Sequence, residues 1–173
     1  MKTDQKNSER FVSKVFQDVF DKYDLMNDLM SLGVHRLWKK QFINWLNPQK
    51  NTMLLDVASG TGDIAKLYLE KVNYEGCVYC FDENEGMLNL NKRKIKENAY
   101  IKWFNGNAES LPYESNFFDY YTISFGIRNV SNIDKAIKEA YRVLKPGGRF
   151  LCLEFSKVES KILPGSNPNL KTI

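Results

Sequence analysis

The sequence predicts an α/β domain, a parallel β-sheet with helices on both faces. Two observations carry that expectation. Short apolar runs at residues 52–57, 76–81, 100–104, 118–124 and 149–155 alternate with segments of helical periodicity, the pattern of strand, crossover helix and parallel strand. The first of these runs ends in a glycine-containing turn that opens a helix, which is how a parallel sheet brings its backbone close to a ligand. The length of 173 residues fits one domain with a continuous core.

Ahead of the sheet, Phe11, Val15, Phe16, Val19, Phe20 and Tyr23 recur at helical spacing and predict an amphipathic helix over about residues 9–23. Leu37, Phe42, Ile43, Trp45 and Leu46 predict a second, closed by Asn47-Pro48. Between the strands, helices are expected at residues 63–71, 85–98 and 133–144. Lys145-Pro146-Gly147-Gly148 is expected to stop the last of them and lead into the fifth strand. The tail from Lys157 to Ile173, with Pro164, Gly165 and Pro168 and no periodicity, reads as unstructured. The organisation is thus a helical cap at 1–46, a ligand-binding core at 47–158 and an irregular tail at 159–173.

Lys and Arg number 25 against 21 Asp and Glu, a net charge of +4 that is too small and too dispersed to argue for nucleic acid. Lys92, Arg93, Lys94 and Lys96 cluster within an expected helix, where a solvated face is the commoner meaning. No stretch approaches the roughly 18 apolar residues of a spanning helix. The polar start, Met1 to Arg10, is unlike a signal peptide and leaves no room for a transit peptide, so a bacterial-type cytoplasmic protein is the expectation. Cys77, Cys80 and Cys152 are an odd set for a disulfide framework. Cys77 and Cys80 lie three apart in an expected strand, where they point to opposite faces. No second Cys/His pair completes a zinc site, and no metal is expected.

The chemistry concentrates in Asp56-Val57-Ala58-Ser59-Gly60-Thr61-Gly62-Asp63. Gly60 and Gly62 permit close approach of a ligand at the carboxyl edge of the sheet, and Asp82, ending the next strand, can accept both hydroxyls of a ribose. With Ala65 the glycines also satisfy the dinucleotide pattern. Asp56, however, suits a ligand carrying an amino group and would repel a pyrophosphate, and Asn107-Ala108-Glu109 after the third strand is placed to meet an adenine edge. These residues favour S-adenosyl-L-methionine over NAD; capping or turn formation is the plainer role of either aspartate taken alone.

Three separated motifs add specificity: Tyr23-Asp24-Leu25-Met26-Asn27 through Ser31, His35 and Trp38; Thr122-Ile123-Ser124-Phe125-Gly126-Ile127-Arg128-Asn129-Val130; and Arg142-Val143-Leu144-Lys145-Pro146-Gly147-Gly148 through Glu154-Phe155-Ser156. On these motifs the chain resembles the ubiquinone/menaquinone biosynthesis C-methyltransferases, over roughly residues 11–158. The resemblance implies a Rossmann-like class I methyltransferase fold and S-adenosyl-L-methionine as cofactor, contacted by Thr61, Asp82, Asn107, Ala108 and Ser124. It implies methyl transfer to a ring carbon of a polyprenylated benzoquinol or a demethylmenaquinol. A lipid-embedded acceptor implies peripheral contact with the inner membrane, or with the matrix side of a mitochondrial one, and a homodimer or a quinone-biosynthesis complex fits the same setting.

Such a reaction needs orientation of the acceptor and a destination for its phenolic proton. Arg128, which stays protonated, is expected to stabilise the developing phenolate, and Asn129 to orient it; a surface ion pair is the plainer role for Arg128. His35, the only histidine, is expected in a structural hydrogen bond or a lid contact rather than in proton transfer. Tyr23, Met26, Met30 and Trp38 either close over the methyl donor or simply pack their helices. Relatives of this kind continue past the fifth strand into two further strands. The resemblance fades after Val158, so the sheet is expected to lack its last strands and to expose an edge, with low solubility or dependence on a partner as the consequence. A catalytically impaired scaffold with the same fold is the alternative function, and an NAD(P)-dependent oxidoreductase the third.

Overall fold

The computed structural model describes residues 34–88 and 99–155. The expected helix at 9–23, most of the 85–98 helix and the tail at 159–173 lie outside them, as do Tyr23, Met26 and Met30. The described elements run α1 (Val34–Leu46), β1 (Thr52–Val57), α2 (Asp63–Lys71), β2 (Gly76–Asp82), β3 (Ile101–Asn105), β4 (Phe118–Ser124), a 3₁₀ turn (Ile127–Asn129), α3 (Ile133–Val143) and β5 (Leu144–Leu153). The strands form one sheet in the order β3-β2-β1-β4-β5, with every pair parallel. The chain therefore reverses its direction of travel across the sheet between β1 and β4, and a crevice opens beyond their carboxyl ends.

Alternation along the strands sorts the core into two layers. Leu54, Val78, Ile101 and Trp103 join Phe42, Ile43 and Leu46 of α1 and Ile64, Tyr68 and Leu69 of α2 on one face. Leu55, Val57, Phe81, Tyr121 and Ile123 meet Ala140 and Val143 of α3 on the other. Asp56, between Leu55 and Val57, takes the face of Leu54, and this explains its burial at 1% exposure beneath the helices. Lys39 of α1 reaches the first turn of α2, its Nζ 2.8 Å from Asp63 Oδ2.

The fifth strand begins earlier than the sequence suggests. Leu144 already pairs with Phe118, and the next registered pair is Tyr120 with Arg149, so β5 carries three more residues than β4 across that interval. Lys145-Pro146-Gly147-Gly148 is thus a bulge inside the strand rather than a linker before it. Gly147 supplies the positive φ of 79° that the detour requires, and Lys145 Nζ holds Asp119 Oδ1 at 2.7 Å across it. Among the described residues β5 pairs on one side only, with β4.

Candidate cofactor site

Four strand ends build the site. After β1 the backbone turns sharply through Ala58 and Gly60, both at positive φ (53° and 47°), and Gly62 (φ 74°) starts α2. Asp82 at the end of β2 fixes this turn from the side, its Oδ2 accepting from Gly60 N at 2.8 Å and its Oδ1 from Asn84 N at 2.9 Å. Asn84 in turn caps the helical residues 85–88 by accepting from Met87 N at 3.1 Å. Beyond β3, Asn107 Oδ1 accepts from Glu109 N at 2.7 Å while its amide donates to Glu83. The loop that follows is strapped to α3. Arg142 donates to the carbonyls of Leu111 and Tyr113, Glu139 accepts from Leu111 N, and Glu109 accepts from Asn132 N.

The strand ends and these loops enclose a cavity of about 520 Å³, lined among others by Gly60, Asp82, Asn107, Ala108, Ser124, Phe125 and Asn129. That is the size of a small-molecule site, and it lies at the topological reversal of the sheet. The close approach of its walls depends on missing side chains. A Cβ on Gly106 would sit 2.5 Å from the Phe81 ring, and one on Gly126 only 2.3 Å from Ala58 Cβ.

Of the residues singled out in the sequence, Gly60, Asp82, Asn107, Ala108, Ser124 and Asn129 line this one cavity. Asp56, Thr61, Gly62 and Arg128 do not. Asp56 lies under the floor, where Thr122 Oγ1 donates to its Oδ1 at 2.8 Å and its Oδ2 has no hydrogen-bond partner among the described residues. Burial pushes its pKa from 3.8 to about 7, against the opposing pull of the Thr122 hydrogen bond and Lys39. Burial alone would also raise Asp63, but the Lys39 ammonium outweighs it and holds that carboxyl below its ordinary value. Arg128, outside the lining, forms an ion pair with Glu154 just past the end of β5. His35 is buried in α1.

Glu83, Asn84, Met87, Phe125 and Val130 also line the cavity and were not anticipated. The first three follow directly on Asp82, so continuing the acidic strand end into the next turn would have found them. Phe125 and Val130 flank residues already singled out; only the fold shows that they face inward.

A five-stranded parallel sheet in this order, with its cavity walled by a glycine turn and a carboxylate at the end of β2, is the Rossmann-like fold of the class I methyltransferases. Solved structures agree on the fold. A SAM-dependent methyltransferase from Aquifex aeolicus superimposes with a TM-score of 0.63 at 22% identity, covering 73% of this chain and 68% of that one. The YcgJ protein of Bacillus subtilis gives 0.61 at 27% identity, covering 70% and 50%.

The chain belongs to the ubiE/COQ5 methyltransferase family, whose model matches residues 2–167. The ubiquinone/menaquinone biosynthesis C-methyltransferase UbiE of Rickettsia prowazekii is 54% identical over 168 residues, which are 94% of this chain and 67% of that protein. The mitochondrial 2-methoxy-6-polyprenyl-1,4-benzoquinol methylase of Dictyostelium discoideum is 45% identical, over 92% of this chain and 60% of its own length. The chain thus spans about two thirds or less of the length of these relatives.

The residues present fit the cofactor of that class. Asp82 keeps a second lone pair on each oxygen for ribose hydroxyls, and Ser124 Oγ, buried in the lining, has no hydrogen-bond partner among the described residues. Met87 and Phe81 provide apolar walls, and Asn107, Ala108 and Glu109 line the same cavity.

Proposed function

We infer that this chain methylates a ring carbon of a polyprenylated benzoquinol or a demethylmenaquinol in ubiquinone or menaquinone biosynthesis. The supporting observation is the convergence, in one cavity, of Asp82 bridging Gly60 N and Asn84 N with the unpartnered hydroxyl of Ser124. When bound, S-adenosyl-L-methionine supplies an electrophilic methyl group. Gly60, Asp82, Asn107, Ala108 and Ser124 hold it, and Thr61 and Gly62 shape the turn around it.

The acceptor supplies the electron pair for the new carbon–carbon bond, and its ring then releases the displaced hydrogen as a proton. The chain's task is to hold a quinol oxygen as it becomes phenolate. Asn129, on the cavity wall, orients that oxygen, and Arg128, one residue outside the wall, stabilises its charge. The Arg128 guanidinium carries four N–H donors beyond the one committed to Glu154, so the ion pair orients it without exhausting it. Asp56 acts from below, as a buried carboxyl beside the glycine turn.

A polyprenylated acceptor is strongly apolar, so peripheral contact at the cytoplasmic face of an inner membrane, or the matrix face in a mitochondrion, belongs to this reading. Among the described residues no helix is long and apolar enough to cross a membrane. A homodimer or a quinone-biosynthesis complex belongs to it too.

The test is direct. S-adenosyl-L-methionine, and not NAD, raises the unfolding temperature of the chain, and a labelled methyl group appears on a short-tailed 2-methoxy-6-alkyl-1,4-benzoquinol. Arg128→Ala lowers turnover more than cofactor affinity. Stabilisation by NAD alone sinks the reading, and normal turnover in Arg128→Ala sinks the role of that residue. Cofactor binding with no transfer marks the chain as a scaffold.

A further inference from the structure

The helix that opens from the glycine turn starts without a side-chain cap. Its N-cap is Gly62, at a φ of 74°, which has no side chain to accept from the first-turn amides. A fastening comes instead from α1. Lys39 stands three and four residues before Phe42 and Ile43, on the row of α1 that packs into the core, and its side chain is only 15% exposed. A lysine so placed keeps its charge at low cost only with an anion within reach. It has one in Asp63, the first residue of α2, with Nζ 2.8 Å from Oδ2.

The helix dipole accounts for an acidic residue at Asp63, beside the positive end of α2. It does not account for a largely buried lysine reaching that residue from another helix. The Thr61 hydroxyl pulls on the same carboxylate, so one residue of the glycine turn shares the contact. The Lys39 charge also reaches Asp56, opposing the repulsion that Asp82 and Asp63 exert on it. Lys39 follows Trp38 at the end of the first sequence motif and Asp63 closes the glycine run, so the two motifs meet here.

We propose that Lys39 is a positioning residue for capture of the methyl donor: through Asp63 and Thr61 it latches α1 to the glycine turn and holds that turn in the shape the cofactor meets. The proposal rests on the cofactor site and not on the identity of the acceptor. Position and charge make opposite demands at this residue. S-adenosyl-L-methionine is cationic at sulfur, so a neighbouring lysine repels it, and a role through charge alone means that removing Lys39 tightens binding. A role through the turn means that removing it weakens binding. The loss is then the same for S-adenosyl-L-homocysteine, whose thioether sulfur is uncharged.

Calorimetry of the full chain with both compounds makes the measurement. Lys39→Met is expected to raise both Kd values about fivefold, Asp63→Asn by about the same factor, and the double variant by no more than either alone. Lys39→Arg restores wild-type affinity. Asp63 is 39% exposed, so Asp63→Asn leaves the packing intact and carries the test by itself. Hydrogen exchange reads the turn directly. Gly62 N, which donates to Ser59 O at 2.8 Å, exchanges about fivefold faster in Lys39→Met, while the amides of α3 on the opposite face of the sheet keep their wild-type rates. Faster exchange in α3 as well marks a global loss of stability and overturns the positioning role. Tighter binding of S-adenosyl-L-methionine by Lys39→Met overturns it in favour of charge. Affinities indifferent to both Lys39→Met and Asp63→Asn overturn the latch and leave the cofactor site standing. A wild-type chain that binds neither compound overturns the site and the latch together.

Discussion

Replacing Asp56 with Asn tests the most unusual electrostatic feature of the fold. Burial raises this carboxyl from 3.8 to about 7 in the folded state, whereas the unfolded chain ionises it at its ordinary value. Between those two pH values the folded protein holds a proton that the unfolded chain has released, so stability falls as pH rises through the window and levels off above about 7. At about 1.4 kcal/mol per pH unit, this one group costs the folded state about 3 kcal/mol between pH 5 and 7. Asn cannot ionise, and its carbonyl can still accept from Thr122 Oγ1, while its amide introduces a donor where Oδ2 now lacks a partner. That misplaced donor costs roughly 1–2 kcal/mol at every pH. Wild type has already lost roughly 1.7 kcal/mol by pH 5, so Asp56→Asn is about as stable as wild type at pH 5 and more stable at pH 8. Asp63 and Glu139, whose folded pKa values are lowered, lose their stabilisation only as pH falls toward those values, outside this window. Urea denaturation of both proteins at half-unit steps from pH 5 to 8 measures the difference. Parallel curves would falsify the assignment of the slope to Asp56.

Gly126→Ala is expected to lose about 1–3 kcal/mol through overpacking and to weaken cofactor binding, because its Cβ meets Ala58 at 2.3 Å; thermal unfolding reads the first and calorimetry the second. Its φ of −124° suits any residue, so space rather than conformation is the cause, and an additional Ala58→Gly change restores both. Asp82→Ala removes the carboxylate that accepts from Gly60 N and Asn84 N and, with it, the ribose acceptor. Cofactor affinity falls at least about tenfold while the unfolding free energy measured in urea falls by about 1 kcal/mol; a larger stability loss than affinity loss makes Asp82 a purely structural residue. Arg142→Met releases the carbonyls of Leu111 and Tyr113, and faster hydrogen exchange at Leu111 N, with a loss of about 2 kcal/mol, is the expected result. Unchanged exchange would mean that Glu139 holds the loop unaided.

The sheet was legible because its signals are local. Apolar runs marked β1, β2 and β4 to within a residue, and Gly60 and Gly62 marked the turn whose positive φ values only glycine adopts freely. The start of β5 was not, since proline and paired glycines stop a helix and build a bulge with the same composition, and only pairing with Phe118 tells the two apart. The site divides along a similar line. Asp82 and Asn107 follow directly from strand ends. Asp56 was given a part on the cavity surface, but strand alternation turns it beneath α1 and α2, a consequence of which face those helices cover. Arg128 has its partner 26 residues later in Glu154, and no local pattern announces that pairing.

The double engagement of Asp82 bears on the thermodynamics of capture. Because Gly60 N and Asn84 N are already hydrogen-bonded to its two oxygens, the glycine turn and the start of the next helix are ordered before any ligand arrives. Little backbone entropy remains to be lost, and the amides need not be stripped of water at the moment of binding. The cofactor enters a frame already assembled, so its residence time reflects contacts made rather than a loop that must fold and unfold around it.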